Sequence, residues 1–129
     1  MADPKAGLEA KIYTVLDAAT SYAVYNTAAR GTEYVVFQAA GGSDEWWHGK
    51  KRGYVYGYSI VGTSADRNHA LTMSDSITGA MGMGAALAPT GFNLVAVTRT
   101  EPVDYTQTLD DGTYIHHVGG IFEIELEEA

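Results

Sequence analysis

The apolar positions of this 129-residue chain follow two rhythms, one helical and one alternating. Leu8, Ile12, Val15 and Leu16 recur on one face of a helical repeat, so residues 4–19 predict an amphipathic helix. Asp3 and Pro4 suit its start, a capping carboxylate before a proline at the first helical position. Residues 22–26 and 32–39 predict short strands around a turn at 28–31, the second rich in β-branched and aromatic side chains. Residues 54–62 alternate with a period of two and place Tyr54, Tyr56, Tyr58 and Ile60 on one face. A second helix is expected from a Ser64 cap to about Met81, with Asp66 in its first turn, where the macrodipole favours negative charge. Ala70, Met73, Ile77 and Ala80 or Met81 form its inward stripe.

Gly82 and Gly84 end that helix, and Pro89 blocks its continuation. Extended structure is predicted over 92–100, is interrupted at Glu101 and Pro102, and resumes over 103–109. Asp110, Asp111, Gly112 and Thr113 then make a hairpin turn. In the closing segment, 114–127, Phe122, Ile124 and Leu126 alternate with Glu123, Glu125 and Glu127, one face packed and the other wet. The order α-β-β-β-α-β-β-β predicts an α+β fold, a mainly antiparallel β-sheet with two α-helices packed against it. The length predicts one domain over residues 1–129.

Residues 41–53 stand apart. They hold both tryptophans, and Lys50, Lys51 and Arg52 are three of only eight basic residues in a chain of formal net charge -8. Glycines at both ends and dense charge predict a loop between strands. Trp46 and Trp47 cannot both point inward from an extended segment, so at least one is expected at the surface. Trp and Arg dominate many protein interfaces, and this makes Trp46, Trp47, His48, Lys50, Lys51 and Arg52 the candidate docking residues. The bland alternative is that Trp46 packs on the sheet while the cations only solubilise the loop.

Composition narrows the function classes. Zero cysteines exclude a disulfide framework, a thiolate metal site and a cysteine nucleophile. No apolar run approaches the roughly 20 residues that span a bilayer, and the first residues lack a signal peptide's pattern. The acidic balance would repel nucleic-acid phosphate.

Catalytic patterns are missing too. His116 and His117 are strand neighbours whose rings face opposite sides, and His48 and His69 share no ligand spacing with them. Glu123, Glu125 and Glu127 lie about 7 Å apart on one strand face, as in a solvated row that guards a sheet edge. Ser59 misses the nucleophile-elbow spacing, and the glycines at 79–84 end a helix instead of starting one. The expectation is a non-enzyme with no cofactor and no metal.

The layout resembles the tail terminator (tail-completion) proteins of long-tailed bacteriophages. The resemblance rests on the helix around 8–16, the strands at Val24–Asn26 and 34–37, and the polar stretch leading to a strand that ends at Gly62–Ser64. A helix and the closing segment 114–126 complete it. It implies a homohexameric ring that caps the tail tube, ends its polymerisation and offers a surface to the head connector. The expected partners are further copies of the chain, the tail tube protein and a head connector or neck protein. The expected location is the head-proximal end of the virion tail, after assembly in the host cytoplasm. Six copies would carry roughly -48 formal charge, so genomic DNA would pass the lumen without specific binding. A head–tail connector is the related alternative. A small ligand-binding or enzymatic α+β domain, with a pocket lined by Tyr54, Tyr56, Tyr58 and His116, is the alternative of a different class.

Overall fold

A computed structural model describes residues 4–27, 29–49, 51–82 and 84–129. The elements follow in the order α1 (Lys5–Ala19), β1 (Ala23–Asn26), β2 (Tyr34–His48), β3 (Lys51–Ser64), α2 (Arg67–Met81), a 3-10 turn (Gly84–Leu87), β4 (Phe92–Thr108) and β5 (Tyr114–Glu128). The five strands form one sheet in the order β1-β2-β3-β5-β4, antiparallel except for the short β1–β2 pair. The expected α+β class and both helices are present.

Strand alternation explains why the helices cover one face only. Tyr54, Tyr56, Tyr58 and Ile60 of β3 point to the same side and are all buried. Their β5 partners on that side are Leu126, Ile124, Phe122 and Gly120. Over this floor α1 lays Leu8, Ile12 and Leu16, and α2 lays Ala70, Met73, Ile77, Ala80 and Met81. Gly62 leaves room for α2, since a Cβ there would overlap the Met73 side chain. Among the described residues, no helix covers the other sheet face. Val36, Val55 and Ile121 lie half-buried on it, and Glu123 stands exposed.

Four local expectations change. Residues 41–53 are not a loop, because β2 runs on to His48 and β3 starts at Lys51. Gly41 and Gly42 fall where the register shifts between Ala39 and Ser43, so they form a bulge that lets the strand continue. Glu101 and Pro102 do not interrupt β4. That strand is at the sheet edge, where proline's missing N–H leaves no ladder bond unmade, and its register shifts beside Arg99 and Leu94 absorb the irregularity.

Asp66, not Ser64, caps α2: its Oδ1 accepts from the N–H of Asn68 at 2.8 Å and of His69 at 3.4 Å. The Glu123–Glu127 row guards no edge, because β5 lies between β3 and β4. Asp3 lies outside the described residues, and α1 starts at Pro4 without a side-chain cap.

Two glycines test this packing in opposite directions. A Cβ on Gly119 would run into the β3 backbone at Ile60 and Val61, which cannot retreat, whereas one on Gly79 meets nothing within 4 Å. Gly119→Ala is expected to cost about 3 kcal/mol or more, and Gly79→Ala to add about 0.5–1 kcal/mol through helix propensity. Urea unfolding of the two variants checks both signs.

Candidate functional site

The β2–β3 hairpin ends in a tight turn at Gly49, which adopts a φ of 63°. Trp46 pairs with Gly53 and Trp47 with Arg52, so the indoles emerge on opposite faces as expected. Trp46 lies half-buried on the helix-free face, across Gly53, where any Cβ would overlap its ring. Its Nε1 is buried without an acceptor among the described residues. Trp47 stands 62% exposed on the helix side.

Arg52 organises the tip. Its guanidinium pairs with Glu45 and sits 5.4 Å from the Trp47 ring centre and 5.2 Å from that of Tyr54. Its backbone N–H donates to Glu128 at 2.8 Å. The hydrogen bond to Glu45 raises the guanidinium pKa further. Arg52 is therefore internally neutralised and is not a free member of a basic patch. Lys51 is exposed. Lys50 lies outside the described residues, as does the side chain of His48. What the structure brings together is an aromatic tip backed by a held cation, with Trp47 outermost.

A second cluster, missed in the sequence, joins β2 to α2. Glu33 Oε2 accepts from Ser64 Oγ at 2.7 Å and from His69 Nδ1 at 2.6 Å, and Asp66 lies 3.7 Å from the other His69 nitrogen. Glu33 and His69 are 36 positions apart, so no spacing rule reveals them. The bond to Ser64, then that to His69, lowers the Glu33 pKa, and the bond to Glu33 raises that of His69. Serine, histidine and glutamate meet here, but the carboxylate takes both protons and Ser64 is 1% exposed. His69 bonds the carboxylate and not the hydroxyl, and the hydroxyl itself is buried, so the group holds the structure together as a clasp.

His117 is likewise occupied. Gln107 Oε1 accepts from its Nε2 at 3.1 Å, its Nδ1 takes the Thr63 hydroxyl at 3.0 Å, and Tyr105 stacks on its ring. Burial, aided by nearby His116, lowers its pKa. His116 turns the other way, toward Thr106. The pocket expected of Tyr54, Tyr56, Tyr58 and His116 does not form: the tyrosines fill the core, and His116 pairs with Ser64 at the far end of β3. Among the described residues no group of three or more His, Asp or Glu side chains could hold a metal. A cleft of about 160 Å³ opens instead beside the end of α2, over Val97, Arg99 and Phe122.

Two measurements follow from this geometry. Gly53→Ala is expected to push the Trp46 indole outward, red-shifting tryptophan emission. An unchanged spectrum would contradict the stacking. The Glu33–His69 pair contributes stability fully above the ordinary carboxyl value of 4.5 and below the ordinary imidazole value of 6.5. Its contribution fades as pH rises through the raised His69 value, and as pH falls through the lowered Glu33 value. NMR titration is expected to find His69 titrating above 6.5, and Glu33→Gln to bring it down.

No family model matches the chain, and no curated protein matches it in sequence. Among solved structures it aligns with a chain from the virion of a native gene transfer agent particle. The TM-score is 0.70 at 18% identity, over 98% of this chain and 99% of that one. The two chains share a fold from end to end.

Proposed function

We propose that this chain is a structural virion protein of a phage-like particle, acting as a tail terminator. Six copies form a ring on the head-proximal end of the tail tube, stop its growth and present the surface that joins the head connector. The observation that carries this reading is the end-to-end fold match to a gene transfer agent virion chain of nearly equal extent. The chemistry of the described residues agrees with it. Ser64, His69, Glu33 and His117 are each held in hydrogen bonds, the tyrosine row is packed, and the tip presents an aromatic contact surface.

In this reading the helix-free face, with Glu123, Glu125 and Glu127 in a row, turns toward the channel. Fixed negative charge there repels DNA phosphate, so the genome passes without sticking. The hairpin tip acts as a docking element. With Arg52 neutralised by Glu45, its contact is chiefly aromatic, not the attraction of a basic loop to an acidic rim.

Electron microscopy of particles assembled without this protein tests the assignment. Overlong tails without heads are the expected result. Tails of normal length that fail to join heads would assign it to the neck, and normal particles would overturn a virion role.

A further inference from the structure

The exposed Trp47 indole and the cleft beside α2 lie at opposite edges of one sheet and on the same face. Trp47 pairs with Arg52 on the side where Tyr54 meets the helices. Val97 and Arg99, which floor the cleft, pair with the helix-side residues Ile124 and Phe122. β3 lies between the strand that carries Trp47 and the cleft, which spans β5 and β4.

The cleft exists because α2 stops at Met81, before it covers β4, and because Gly82 adds no side chain there. Its floor of Val97, Phe122 and Met81 is apolar. Arg99 also lines it, its guanidinium held by a hydrogen bond to the Gly119 carbonyl at 2.5 Å. Among the described residues no carboxylate pairs with Arg99. An unpaired cation over an apolar floor suits a flat, electron-rich ring, which gains both area burial and a cation–π contact.

Trp47 offers such a ring. The Arg52 guanidinium backs it, and Glu45 holds that guanidinium in place. A ring already held this way loses little freedom on docking. A knob at one edge and a cleft at the other form a heterologous contact, which repeats head to tail and can close into a ring.

We infer that Trp47 of one copy seats in the cleft between α2 and β4 of the next copy, against Arg99. The inference rests on the ring reading above and names the contact that builds the ring.

Two variants at exposed positions test it, Trp47→Ala removing the knob and Thr78→Arg blocking the cleft. Each is expected to raise the concentration for half-assembly about thirty-fold or more, by sedimentation velocity, with melting unchanged. Mixed together, they should form a one-to-one dimer and nothing larger, since the first keeps its cleft and the second its knob. If Thr78→Arg melts early, Gly82→Leu replaces it, because a Cβ on Gly82 meets only ordinary contacts near 3.4 Å. Rings that persist in either variant overturn this contact and leave the ring reading standing. Variants that stay monomeric together also overturn it. A wild-type chain that remains monomeric at every concentration overturns the ring reading and this contact with it.

Discussion

The one-sided burial of the central strand pair governs the rest of the molecule. Tyr54, Tyr56, Tyr58 and Ile60 stand in a file on β3, and Leu126, Ile124 and Phe122 answer them from β5. Aromatic rings this large need cover, and both helices are drawn to that face to supply it. Tyr58 shows the coupling at atomic scale: its ring meets Phe37 edge-on while its hydroxyl donates to Glu9 of α1 at 2.9 Å. Because one face takes all the helical cover, the other face and both outer strands are left to the surroundings. The exposed Trp47 tip and the cleft beside α2 lie in those uncovered places.

Much of this was legible in the sequence because burial writes itself as periodicity. The tyrosine file, the α2 stripe and the Phe122-Ile124-Leu126 alternation each announce an element and its inward face. The misreadings have a common cause, which is that Gly and Pro mean different things at different places in a sheet. Gly41 and Gly42 look like a strand end but permit a bulge, and Pro102 looks like a break but rides an edge. Ser64 looked like the helix cap because it precedes the helix. Its hydroxyl instead donates to Glu33 and accepts from the Asp66 N–H at 2.9 Å.

The candidate site was half legible. Strand geometry was enough to expect one tryptophan outside, and Trp47 is there. The neutralisation of Arg52 is not readable from the sequence, because it depends on Glu45 lying diagonally across the hairpin, a neighbour that a loop over 41–53 does not have. The cleft beside α2 left no local signal. It arises from where α2 stops, at Met81, relative to β4, which begins at Phe92. Such tertiary gaps are set by element lengths, which sequence periodicity bounds only loosely.

The irregular edge of β4 has a consequence for how newly made chains behave beside one another. Register shifts beside Leu94 and Arg99, with Pro102 just beyond, cut this 17-residue strand into short stretches of regular ladder. An unbroken open edge of that length would be a template for indiscriminate pairing with other open strands. Fragmenting it leaves the monomer poor at zipping onto arbitrary neighbours, so a crowded pool of newly made chains stays tractable. Any pairing between chains is then left to side chains that fit, and the backbone has little say in it.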